Sequence, residues 1–128
     1  MDFKDPVILQ GLAIDMVLNE VRRERERQEQ LVKAGKFLWT CASNVAPIPM
    51  RYPSPVNFVD REITNAEKLA VLAEEFGEVS KEVVEEIIHN DRGDADNAKI
   101  DRSRLRRELV QVAAVCVAWC EALDKREP

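Results

Sequence analysis

Glycine is scarce in this chain, with four residues in 128. That is too few for a many-turned β protein or for a glycine-rich loop that cradles phosphates. Histidine occurs once, at His89. A zinc or di-iron site built on histidine is thereby disfavoured, and a ferritin-like oxidase is set aside because its Glu-x-x-His motifs are missing. Three cysteines, Cys41, Cys116 and Cys120, form no CxxC pattern. Cys116 and Cys120 lie one helical turn apart and read as small core residues, not as a metal or redox pair. No apolar run reaches about 18 residues, and the N-terminus lacks the form of a signal peptide. A cytoplasmic protein with no membrane partner is expected. Positive charge is outweighed, with 19 Lys and Arg against 24 Asp and Glu and a net charge of −5. Such a chain gains little from the counterion release that drives nucleic-acid binding, so no nucleic-acid partner is expected. A phosphorylated ligand is compatible if a divalent cation screens its charge.

Hydrophobic residues make up 45% of the chain and charged residues 34%. That pairing fits helices with one apolar and one charged face, and it does not fit a disordered chain. The length fits a single domain over residues 1–128, large enough to fold without disulfides.

The first helix is expected from Pro6 to Ala34, with proline in its first turn and Gly35 as its stop. Leu9, Leu12, Ala13, Met16 and Val17 give it an apolar stripe. The charge run Arg22 to Glu29 follows. It reads as a solvated face with i,i+4 pairs, or as a source of arginines aimed at a phosphate. Gly35 to Glu62 reads as a long loop containing Pro47, Pro49, Pro53 and Pro55. Its aromatics, Phe37, Trp39, Tyr52 and Phe58, either anchor the loop on the helices or, at Trp39, stack on a nucleobase.

Thr64-Asn65-Ala66-Glu67 is a capping box and starts the second helix. Leu69, Leu72, Ala73, Phe76, Val79, Val83 and Ile87 form its stripe, and the helix is expected to end near His89-Asn90. Asp91 to Lys99 reads as a loop. The last helix is expected from Arg102 to Lys125, with Leu105, Leu109, Val112, Cys116, Trp119 and Leu123 as its main stripe. Because it is apolar almost all round, it should be buried on several sides, which points to a homodimer or homotetramer. The fold class is therefore all-α, an antiparallel helical bundle completed by oligomerisation.

Carboxylates carry the candidate chemistry. Glu75, Glu78 and Glu82 cluster beside the stripe of the second helix, and like charges at that spacing repel unless a cation compensates. Glu108 falls in the apolar sector of the last helix, where an unpaired carboxylate is costly. The acids of the second helix read either as an ordinary acidic surface with lysine neighbours such as Lys81 or as part of a site in which a divalent cation shared with Glu75 and Glu78 would satisfy Glu108. Oxygen-only ligands suit magnesium or manganese.

Glu74-Glu75-Phe76-Gly77-Glu78 and Glu108-Leu109-Val110-Gln111 resemble the EExxE and ExxD halves of the MazG-like nucleoside triphosphate pyrophosphohydrolases. The flanks Asn65 to Ala73 and Leu109 to Leu123 are also similar to small bacterial and phage members, and the resemblance covers roughly residues 20 to 124. It implies an all-α fold and magnesium-dependent cleavage of a nucleoside triphosphate into monophosphate and pyrophosphate. Glu75, Glu78, Glu108 and Gln111 would be the metal positions. Glu74 and Glu82 would orient water. Lys36, Trp39, Lys81 and Arg104 are the candidates for substrate contact. Gln111 departs from the family aspartate and brings no charge to the site. The further helix of longer members is also not seen, so a neighbouring subunit is expected to complete the pocket. A degenerate nucleotide-binding bundle and a purely structural bundle are the alternative readings.

Overall fold

A computed structural model describes residues 5–49, 58–93 and 95–126, with side chains in the last stretch described from Arg102 to Lys125. Tyr52, Pro53 and Pro55 lie outside the described residues. Three helices, α1 (Pro6–Lys33), α2 (Asn65–Asp91) and α3 (Ala95–Arg126), are joined by a short sheet of β1 (Val45–Pro49) and β2 (Phe58–Glu62).

The helix ends follow local chemistry. Asp5 accepts the amide of Val7 at 2.8 Å, and Pro6 occupies the first turn, where its missing N–H is not needed. Gly35 takes φ +73, a left-handed turn that stops α1 and that other residues adopt at a cost. The α2 capping box is complete: Glu67 N donates to Thr64 Oγ1 at 3.2 Å, and Thr64 N donates to the Glu67 carboxylate at 3.4 Å.

The connection expected as loop over Asp91 to Lys99 is much shorter. Gly93 turns at φ +71, and α3 already begins at Ala95. Beyond Gly93 the segment is polar, yet it contains neither proline nor glycine, and polarity alone does not break a helix.

The Gly35–Glu62 loop also contains order that its prolines obscured. β1 and β2 pair antiparallel with Val45 opposite Glu62 and Pro49 opposite Phe58. Ile63 N donates to Asn44 O at 2.9 Å, which fixes the phase of the ladder. The hydrogen-bonded positions of β1 are then Ala46 and Ile48. Pro47 and Pro49 fall between them, where no N–H is called for.

Packing places α3 in the middle. It pairs with α2 as an antiparallel hairpin and with α1 on another side, while α1 and α2 share no packed contact among the described residues. The hairpin register runs from Arg102 beside Glu86 to Trp119, whose indole N–H donates to Asn65 at 3.1 Å. Along α1 and α3, Glu20 meets Arg106 and Arg25 meets Glu121, so these two helices run in the same general direction.

The buried face of α3 is its small-residue face, Ala114, Val115, Ala118 and Ala122, which lets the neighbouring backbones approach closely. Cys41 and Ala42 complete this cluster, with Trp39, Leu72 and Trp119 packed against it. Cys116 and Cys120, read from sequence as core, are exposed instead, and the buried cysteine is Cys41. The stripe expected to bury α2 is split: its Leu72 and Val79 face inward, but Leu69, Phe76 and Ile87 are more than half exposed. The seam of α2 that faces inward is Lys68, Leu72, Glu75, Val79 and Glu82, at alternating spacings of four and three. The α1 stripe expected to be apolar core, Leu9, Leu12, Met16 and Val17, is exposed as well, and only Val21 and Arg25 are buried on that helix.

Candidate carboxylate site

The inward seam of α2 is unusual in carrying charge. Lys68 is fully buried and donates from Nζ to Asn44 Oδ1 at 3.2 Å; Asn44 in turn donates to Ala122 O at 2.9 Å. Asn44 thus ties the start of the hairpin to both α2 and α3. About two and four helical turns further along, the seam reaches Glu75, then Glu82.

Glu75 faces the end of the matching seam on α3, Glu108 and Gln111. With its amide nitrogen turned toward the carboxylates, Gln111 donates to Glu108 Oε2 at 2.8 Å and to Glu75 Oε2 at 3.3 Å. One neutral amide in that orientation bridges two acids from different helices. Burial, followed by the charges of Glu108, Glu74, Glu78 and Glu24, pushes the Glu75 carboxyl above its usual range. Burial, followed by Glu78 and Glu82, does the same to Glu108, although Arg107 nearby works in the opposite direction. No described arginine or lysine ion-pairs with Glu75 or Glu108.

Glu82 deepens the imbalance. It is 8% exposed, and its Oε2 is buried with no hydrogen-bond partner among the described residues. A buried acceptor without a partner costs on the order of 1–3 kcal/mol. The donor set is all oxygen, which fits a hard divalent cation and not a soft one. Among the described residues no three acidic, His or Cys side chains are drawn together tightly enough to cage a metal ion.

Glu75 opens onto a cleft of about 310 Å³ between α1, α2, α3 and the segment after α1, whereas Glu78, Glu82 and Glu108 do not line it. Glu74, Glu75 and Gln111 form one wall. Phe37 and Trp39 form the apolar end. A turn positions Trp39: Ser43 N donates to Thr40 O at 2.9 Å, and Thr40 N donates to Ser43 Oγ at 3.1 Å. Trp39 is half-buried, packing on the core while presenting surface to the cleft, so anchoring and ligand contact are not alternatives for it. A larger groove, about 760 Å³, lies between α1 and α3 around Arg25, but no member of the carboxylate cluster lines it. The smaller cleft is therefore the candidate site.

Sequence reading missed the third wall. Glu24, Arg27 and Gln28 of α1 line the cleft, and Arg27 binds Glu24 through two hydrogen bonds of 2.8 and 2.6 Å. Their i, i+3, i+4 spacing was visible, but it was embedded in a run where every residue is polar. The expected contact residues Lys36 and Lys81 are exposed and do not line the cleft. Arg104 approaches Glu85 at 4.0 Å, also away from it. Glu78 is exposed beside the cluster and acts on Glu75 and Glu108 through its charge.

Compared with models of known protein families, with curated proteins and with solved structures, the chain matches none.

Proposed function

We propose that this chain is a magnesium-dependent nucleoside triphosphate pyrophosphohydrolase of the MazG-like kind. The observation that carries the reading is the meeting of Glu75 with Glu108 and Gln111. Two acidic motifs, 33 positions apart by the difference 108 − 75, sit face to face on antiparallel helices and share one bridging amide. A structural bundle gains nothing from unpaired acids on its inner seam, since each costs stability there.

Glu75, Glu78 and Glu108 would hold magnesium, with the Gln111 carbonyl able to join once its amide rotates. Bound there, the ion neutralises triphosphate charge and makes a coordinated water more acidic. Glu74 on the cleft wall and the buried Glu82 accept protons from water and orient it. Trp39 and Phe37 offer a stacking surface for the base, and the Gln28 amide offers one donor and one acceptor to its edge. The exposed apolar face of α2 (Leu69, Phe76, Ile87) supports a homodimer or homotetramer, in which a second copy covers it.

A pyrophosphate-release assay over a panel of nucleoside triphosphates, with and without magnesium, tests the reading. Release of pyrophosphate only with magnesium is expected. Release of orthophosphate, or no release from any member of the panel, overturns it.

The raised carboxyls give a pH signature. A carboxyl whose folded pKa lies above its unfolded value of about 4.5 binds its proton more tightly in the folded state. Stability from Glu75 and Glu108 is therefore present at low pH and is lost as pH rises from about 4.5 through their raised values. Without metal, the melting temperature is expected to fall across that window. Magnesium is expected to restore it at pH 7 far more than at pH 5, because protons compete for the same oxygens. Equal effects of magnesium at both pH values would count against a shared carboxylate site.

Gln111→Asp separates stability from metal affinity. Without magnesium it deletes two donated hydrogen bonds and adds a third acid, so a loss of about 1–3 kcal/mol is expected. With magnesium the added charge is expected to tighten metal binding about tenfold. Calorimetric titration and thermal melting of the same sample check both halves.

A further inference from the structure

The chain is acidic overall, yet one part of α1 and α3 gathers arginines. A second cleft, about 480 Å³, is lined by Arg23, Arg27, Arg106 and Arg107, together with Glu20 and Glu24. Glu24 and Arg27 line this cleft and the carboxylate cleft alike, so the two adjoin along α1. Moving from one to the other, the surface passes from Phe37 and Trp39, past Glu75 and Gln111, to the arginines. Apolar rings, acids and guanidiniums thus lie in two adjoining clefts.

The arginines are not equally committed. Arg106 is held by Glu20 at 2.5 and 2.8 Å, and Arg27 by Glu24. Arg23 and Arg107 make no ion pair among the described residues. Arg23 donates to Asn19 O of its own helix at 3.5 Å and acts on the Glu20 carboxyl through its charge, and Arg107 lies near enough to Glu108 to act on its carboxyl. Four guanidiniums against two carboxylates leave two positive charges in a cleft of a chain whose net charge is −5. Planar guanidiniums match phosphate oxygens in pairs.

We propose that this arginine cleft holds the β- and γ-phosphates of the nucleotide, with Arg23 and Arg107 as the free donors. It rests on the pyrophosphohydrolase reading for the identity of the nucleotide, but not for phosphate binding itself. The base then lies at Trp39, the α-phosphate lies at the carboxylates, and the departing pyrophosphate lies between α1 and α3. Arg27 is a positioning residue: it sits at the junction of the two clefts and is paired to Glu24 until phosphate competes for it. The site selects for length of the phosphate chain, and inorganic tripolyphosphate alone carries the feature it recognises.

Calorimetry in magnesium tests this with three probes. They are inorganic tripolyphosphate, a triphosphate with a non-hydrolysable α–β bridge, and the monophosphate of the same nucleoside. The variants are Arg23→Met with Arg107→Met, the corresponding double lysine change, and Arg22→Met, whose side chain lines the groove around Arg25 instead. Wild type is expected to bind both triphosphate probes about a hundredfold more tightly than the monophosphate. The double methionine variant is expected to lose about tenfold per arginine on those two probes and to keep the monophosphate affinity. The double lysine variant should lose less, and Arg22→Met should match wild type. Arg23 and Arg107 are exposed, so an unchanged melting temperature confirms that the variants fold. A double methionine variant that keeps the triphosphate preference, or a wild type that does not bind tripolyphosphate, overturns the proposal. Arginine-dependent tripolyphosphate binding without nucleotide turnover would uphold the phosphate site while removing the enzymatic reading. Turnover with an unaffected double variant would do the reverse.

Discussion

Pyrophosphate release by Glu75→Gln is expected to fall at least about a hundredfold, because removing even a supporting partner of a metal ligand costs up to that much. The substitution keeps shape and removes charge. It also relieves repulsion: Glu75 loses contact with the like charges of Glu108, Glu74, Glu78 and Glu24. The variant should therefore melt no lower than wild type without metal, and higher in the window where Glu75 would have ionised. Gain of stability with loss of activity is the mark of a group retained for chemistry, since structural residues show the opposite pairing. Glu108→Gln should behave in the same way. Steady-state kinetics and thermal melting on both variants check this. Full activity in either one removes that residue from the site.

Arg25→Met is expected to have the opposite profile, with a loss of stability of about 3 kcal/mol and a fall in melting temperature of roughly 10 °C. Arg25 is 8% exposed and reaches Glu29 at 2.5 Å and Glu121 at 2.6 Å, which ties the α1 charge run to α3. Burial works to raise the Glu29 carboxyl, but hydrogen bonds from Arg25 and Thr40 outweigh it and hold it below its usual range. Removing the guanidinium takes the ion-pair partner from both acids and leaves Glu29 its hydrogen bond from Thr40 Oγ1 at 3.2 Å. Their side chains are 42% and 44% exposed, so water recovers part of the loss and keeps it at the low end for a broken buried pair. Arg27→Met is the comparison. Its pair with Glu24 is half-exposed on the arginine side, and a change below about 1 kcal/mol is expected. Denaturant melts of the two variants decide the matter, and equal losses would mean that burial does not distinguish these arginines.

That contrast also shows where the sequence was readable. The capping box at Thr64, the stop at Gly35 and the span of α1 are short-range features, and their causes lie within a few residues of one another. Glu108 stood out because helical spacing put a charge in an apolar sector, and Glu75 because Glu78 and Glu82 repeat on the same side of its helix. What lay between helices was harder. Periodicity marked Leu69, Phe76 and Ile87 as the core side of α2, yet α3 packs on the seam with Lys68, Glu75 and Glu82. An apolar stripe says that something must cover it and does not say which partner does. The same ambiguity exchanged Cys116 for Cys41 as the buried thiol. Arg25 and Arg27, two positions apart in one charge run, have opposite fates because helix geometry turns one toward α3 and the other toward the cleft. The hairpin was hidden for another reason: proline at Pro47 and Pro49 argues against a strand until the ladder's phase is known.

In the proposed site, Glu75 and Glu108 act together on one divalent cation. Titration of manganese into the full chain, followed by electron paramagnetic resonance, tests it most directly. Loss of the free-ion signal at one manganese per chain, reversed by magnesium and abolished in both Glu75→Gln and Glu108→Gln, is the predicted result. Manganese binding that survives both substitutions, or no binding by the unaltered chain in the presence of a non-hydrolysable triphosphate, would contradict it.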